Sequence, residues 1–380
     1  MMTRPAHPEA VIVLLLLLVA GASNYAQQST PAKPAVPVDP ITAVVDAFRS
    51  YSVVALSEGA HGNEQGLEFR IALIRDRRFA ERVNDILLEG PNARYQGVMD
   101  RYVRGEDVPL ESLRRVWDDS TQQQAGGPMW TGEVPAFYRA VRQLNASLPP
   151  EHQLRVLLGD PPINWDQVHT RDDFMKWLAL RDTFPADLIK REVLAKDRRV
   201  LVVFGNMHLQ RKQLAANYEA VADGPAATVV SALEQSGATR VFSIWTETDS
   251  VVSQLQPDVS TWPAPSLAML RATVLGAADF TNYYPAERNP IAANRMEVRD
   301  GKILGPVPRD QWRSLKMEDQ FDALLYLGPR SSISVSPVRP SSAVCADPAF
   351  LEERLARATV TGLPEREIER LKQLCIEPPK

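Results

Sequence analysis

The chain has 380 residues, of which 44% are apolar and 24% charged, enough apolar material for a large buried core. A formal net charge of −4 leaves no basic footprint, which excludes nucleic acid as an expected partner. Cys345 and Cys375 are the only cysteines, both near the C-terminus.

At the N-terminus Arg4 and His7 precede an apolar run from Val11 to Ala20, and Ala20-Gly21-Ala22 has the small-x-small pattern of a cleavage site, with Ala26 as a second. The run is short for a membrane span and no Cys follows it, so the expectation is a signal peptide over residues 1–22, export to the periplasm or medium, and no stable membrane span after cleavage. Export places the cysteines in an oxidising compartment, and a disulfide between Cys345 and Cys375 is expected. Residues 23–40 are dense in proline and read as a linker.

A short amphipathic helix is expected over residues 41–51, then a strand, Val53 to Leu56, that breaks into a glycine-punctuated loop carrying Glu58 and His61. Leu67, Ile71 and Ile74 recur at helical spacing beyond the loop, with Arg70 on the same helix. A second strand over residues 85–88 ends in Glu89, and a helix is expected over residues 94–103. The segment with Gly126-Gly127-Pro128, between Trp117 and Trp130, reads as a lid or insertion. A helix over residues 135–148 leads to a third strand, residues 154–158, ending near Asp160. A long helical tract over residues 171–196 precedes the strand Val200 to Phe204, whose unbroken apolar run implies burial on both faces, and which ends in Asn206 and His208. A helix over residues 226–235, strands over 240–246 and 321–327, and a hairpin over 296–305 follow, then two short helices that carry the cysteines.

Strands separated by helices predict an α/β fold, a mostly parallel central sheet flanked by helices, with a small helical C-terminal extension. The expected division is an α/β domain over residues 41–330 and a tail over residues 331–380. In such a sheet the carboxyl ends of the strands lie along one edge, where ligands bind. Glu58, His61, Glu89, Asp160, Asn206 and His208 all stand at strand ends, so imidazoles and carboxylates are expected to converge in one cleft. A His oriented by an acid can take a proton from water, and the same residue types can hold a divalent metal, with His61, Glu58, Glu89 and His208 as its ligands. The spacing leaves open whether any cofactor is required.

These residues also carry a family resemblance. Leu56-Ser57-Glu58-Gly59-Ala60-His61-Gly62, with Glu64, Phe69 and Arg70 beyond, resembles the Gly-Glu-x-x-His-Gly signature that opens the erythromycin esterase family, which shares a superfamily with haem-uptake proteins and Tiki-type proteases. Leu87-Leu88-Glu89 resembles its second motif, Arg181-Asp182 its Arg-acid pair, and Asn206-Met207-His208 its closing Asn-x-His. The resemblance covers Val53 to about Leu209, with Ser57 where the family usually has Gly and with its own continuation, Asn63-Glu64-Gln65-Gly66. It implies a hydrolase that cleaves an ester or lactone of a small molecule, with His61 as general base, Glu58 and Glu89 orienting it or the water, and Arg70 and His208 on the substrate or oxyanion. Asp160, Asn206 and Arg181 are expected on the substrate. The alternatives are a periplasmic haem, iron or metal binder without turnover, and a metal-dependent hydrolase.

Overall fold

A computed structural model describes residues 32–122, 133–211, 228–280, 296–299, 302–306, 316–335 and 347–376. The expected leader and Cys345 lie outside the described residues, as does the side chain of Cys375, and the expected disulfide falls there with them.

The strands are β1 (Val53–Ser57), β2 (Asp85–Asn92), β3 (Arg155–Asp160), β4 (Val200–Phe204), β5 (Val241–Glu247), β6 (Ser266–Met269), β7 (Met296–Arg299), β8 (Lys302–Pro306) and β9 (Ala323–Tyr326). Seven of them form the central sheet in the order β3-β2-β4-β1-β5-β9-β6, all parallel except β6, which pairs antiparallel with β9. The fold is therefore the α/β arrangement with a mostly parallel sheet that the alternation of strand and helix patterns predicts. β7 and β8 form the expected hairpin as a separate antiparallel pair.

Every residue of β1 and β4 is buried, and successive side chains feed opposite faces. Val54 and Leu56 of β1, with Leu201 and Val203 of β4, pack against Phe69, Leu73 and Ile74 of the helix Glu64–Arg75. Val53 and Ala55, with Val200, Val202 and Phe204, pack on the other face against Leu188 and Ile189 of the helix Thr183–Glu192 and Leu233 of the helix Val229–Gln235. Each such buried Val or Leu contributes about 1.5–3 kcal/mol relative to exposure. The helices that follow β1 and β4 thus lie on opposite faces, and between two adjacent parallel strands of this kind the sheet opens a crevice at its carboxyl edge.

Three local departures from expectation have identifiable causes. β6 gives no sequence signal because it is a four-residue edge strand directly after Pro263 and Pro265. The tract over 171–196 splits into helices Arg171–Leu178 and Thr183–Glu192, since Pro185 fits only the first turn of a helix and so opens the second. Residues 33–39, expected as linker, are pinned: Gln256 bonds both the N–H and the carbonyl of Ala35, and Val38 exchanges backbone hydrogen bonds with Leu267 of β6. The stretch after Gly105 contains a helix, Leu110–Asp118, with Leu113, Val116 and Trp117 buried. The C-terminal extension is the helix pair Pro348–Val360 and Glu365–Ile376.

Candidate active site

The loop after β1 is built around Asn63. Its amide donates to the carbonyls of Glu58 and Ala60, both at 2.6 Å, and its Oδ1 accepts from the N–H of Gly66 at 2.5 Å, so one side chain closes the loop and caps the helix that follows. Gly59 and Gly62 both have positive φ, 72° and 76°, a conformation that costs glycine least. Within this frame His61 Nδ1 lies 2.6 Å from Glu58 Oε1. The hydrogen bond to Glu58 is the main reason that the His61 imidazolium is held up to about 9, against the opposing effect of burial and with help from the charges of Glu58 and Glu89. His61 is the exposed member of the pair, its side chain 45% accessible against 20% for Glu58.

Glu89 does not end its strand as expected: β2 runs on to Asn92, and Glu89 stands at the irregularity that follows Leu88, where pairing with β4 stops, 9% exposed and saturated with donors. Oε1 accepts from Arg181 Nη2 at 2.5 Å and from Gln122 Nε2 at 2.7 Å; Oε2 accepts from the Gly205 N–H at 2.6 Å. His208 Nε2 stands 3.3 Å from Oε1. Burial favours the neutral acid, but the charge and hydrogen bond of His208, then the charges of Arg181 and His61, hold Glu89 well below the usual carboxylate range.

His208 ends the short turn after β4 and lies between two acids, with Nδ1 2.8 Å from Asp182 Oδ1 and Nε2 facing Glu89. Burial disfavours its charge, yet the Glu89 charge and the hydrogen bonds to Asp182 and Glu89 outweigh that and lift it to about 10. An acid on each ring nitrogen therefore favours the protonated, cationic form of His208. The crevice is narrow here. A Cβ on Gly205 would come within 3.2 Å of Glu89 Oε2, 3.6 Å of His61 Cε1 and 3.9 Å of His208 Cδ2, so this glycine lets the residues of three strand ends meet around one backbone atom.

The remaining expected residues are placed differently. Asp160 is buried, with both oxygens on Thr121: the N–H at 2.7 Å and Oγ1 at 2.5 Å. Burial, only partly offset by those hydrogen bonds, pushes it up to about 7, and Arg181 Nε stands 3.9 Å away. Asp160 therefore braces Arg181 and Thr121 from behind rather than facing the opening. Asn206 Oδ1 is buried with no hydrogen-bond partner among the described residues, which leaves an acceptor beside the site. Arg70 is buried on the helix Glu64–Arg75, on the side of Phe69, Leu73 and Ile74. Asp182, the acid of the Arg181-Asp182 pair in the resemblance, turns out to be the partner of His208, whereas Gln122 carries no sequence signal beyond its type, because it is defined by what it touches.

Among the described residues no group of three or more His, Cys, Asp or Glu side chains is arranged to hold a metal ion. The proposed ligands are turned toward one another: Glu58 toward His61, and Glu89 toward Arg181, Gln122 and His208. Among the described residues no helix is long and apolar enough to cross a membrane.

No family model matches the chain, and no curated protein matches it. Solved structures do. A Bacillus cereus protein aligns at 14% identity and a TM-score of 0.44, covering 80% of this chain and 97% of its own. A succinoglycan biosynthesis protein aligns at 11% identity and 0.40, covering 80% and 96%. A mutant of the erythromycin esterase EreC in its open conformation aligns at 10% identity and 0.46, covering 78% and 93%.

Proposed function

We propose that this protein is an exported hydrolase that cleaves an ester or lactone of a small molecule with a water activated by His61. The observation that carries the reading is the 2.6 Å contact between Glu58 and His61 Nδ1 at the mouth of the crevice. An acid on Nδ1 fixes the tautomer whose Nε2 is free to accept a proton, and stabilises the imidazolium that then forms. Water gives a proton to His61 Nε2 as its oxygen attacks the ester carbonyl. The tetrahedral intermediate collapses, and the leaving alcohol takes the proton back from His61. Negative charge developing on the carbonyl oxygen is met by the cations of the crevice, His208 and Arg181, which the network around Glu89 holds in place before reaction. Asn206, with a buried acceptor that lacks a partner among the described residues, is proposed to line the crevice, and Arg70, buried beside Phe69, Leu73 and Ile74, is proposed to support it from the helix Glu64–Arg75.

The N-terminal apolar run supports export. The test is a panel of simple esters and lactones assayed with wild type and His61→Ala. Loss of the base is expected to lower turnover by about a hundredfold or more, with the melting temperature nearly unchanged because His61 is the exposed member of the set. Equal turnover in the two proteins would end the proposal.

A further inference from the structure

The C-terminal helix Pro348–Val360 bears on the crevice through one buried carboxylate, that of Asp119. Arg354 Nη2 donates to Asp119 Oδ1 at 2.7 Å, and its Nη1 donates to the Asp118 carbonyl. Arg357 Nη1 reaches the same Oδ1 at 2.7 Å while its guanidinium lies over the ring of Trp165, 4.8 Å from the centroid. The other oxygen of Asp119 accepts from Tyr95 Oη at 2.6 Å and Arg115 Nη1 at 3.2 Å, and its backbone carbonyl accepts from Asn92 at 2.9 Å and Trp165 at 2.8 Å. Such convergence fixes the position of Asp119 from several elements at once.

Two residues further on the chain delivers donors to the crevice: Thr121 to Asp160, and then Gln122 to Glu89. Consecutive Cα atoms are about 3.8 Å apart, so a shift of an ångström or more at Asp119 reaches Thr121 and Gln122 with little slack to absorb it. Asp118 and Asp119 are adjacent buried acids, and without the arginines their charges would repel each other in a poorly solvated place. The segment 118–122 then has an electrostatic reason to move outward.

We infer that Arg354 and Arg357 are positioning residues for the crevice, acting through Asp119 on the Thr121 and Gln122 hydrogen bonds that hold Asp160 and Glu89. The structural part stands by itself, and the consequence for rate rests on the proposed hydrolysis. The experiment compares the full chain with Arg354→Met, Arg354→Lys and Arg357→Gln, reading amide hydrogen exchange by mass spectrometry or NMR together with ester turnover. In Arg354→Met the Thr121 amide is expected to exchange tenfold or more faster while amides of β1 and β4 keep their protection, and kcat is expected to fall on the order of tenfold with KM changed less. Arg354→Lys keeps the charge without the planar fork and should restore part of both readouts. Should Arg354→Met not fold, Arg357→Gln, at the rim of the same carboxylate, carries the same two readings. Unchanged Thr121 protection in folded variants overturns the inference, as does faster exchange with undiminished kcat. If the wild type hydrolyses no ester in the panel, the proposed function falls, and the exchange measurement still decides whether the arginines position the crevice.

Discussion

Replacing Glu58 with glutamine separates the two things this acid does to His61. Its hydrogen bond holds the imidazolium up to about 9, whereas an ordinary histidine titrates near 6.5. At pH 7 about one ring in a hundred is then neutral, and base catalysis by the wild type should rise about tenfold per pH unit until about pH 9. Glu58→Gln removes the raising charge, so the titration moves toward about 6.5 and most rings are neutral at pH 7, a gain of a little under a hundredfold in competent molecules. Against that gain stands the loss of the group that orients the ring and stabilises the imidazolium formed in the reaction. The corresponding acid-to-amide change in a serine-protease triad costs about 10⁴ in kcat. The second effect wins. The expected deficit is about 10⁴ near pH 9–10 and about 10² at pH 7, with the rising acid limb of the profile displaced downward by two to three pH units. The assay is kcat/KM of wild type and variant on one ester from pH 6 to 10. A wild-type to variant ratio that does not widen between pH 7 and pH 9, or a variant as active as wild type, refutes the assignment of the Glu58–His61 pair as an oriented base.

Stability should also follow pH through His208. Its folded value, about 10, lies above the unfolded one, so its contribution is fully present below about pH 6.5 and is lost as pH rises through the folded value. The urea midpoint of the wild type is expected to fall between pH 7 and pH 10 more steeply than that of His208→Gln, and parallel curves would contradict the placement of a buried cation there. Glu89→Gln is expected to lose stability as well as turnover: the negative charge that faces Arg181 and His208 is gone, and whichever way the amide is turned its NH2 meets donors, either Arg181 and His208 or the Gly205 N–H, at a cost of about 3–5 kcal/mol. Urea denaturation beside turnover checks it, and a variant that keeps wild-type stability would show that the network around Glu89 carries little energy.

The parallel sheet and the strand ends were legible because the signal is local. An unbroken apolar run such as Val200 to Phe204 reports burial on two faces wherever its partners come from, and a polar residue directly after the run is placed at the sheet edge by chain connectivity alone. The Glu58–His61 pair was legible for the same reason: its members are three residues apart in one glycine-bounded loop. β6 was not, since an edge strand of four residues after prolines carries no periodicity.

The sequence by itself determined which residue types stand at the mouth of the crevice; the tertiary structure decided which of them touch. Glu89 meets Arg181 across 92 positions and Gly205 across 116, and Arg354 meets Asp119 across 235. No periodicity encodes such pairs, because they are fixed by strand order and by which face each helix takes. Protonation follows the same division. The residue type alone sets His61 and His208 near 6.5, and only the carboxylates that folding brings within hydrogen-bond reach hold both as cations at neutral pH, since a desolvated charge persists only beside its opposite.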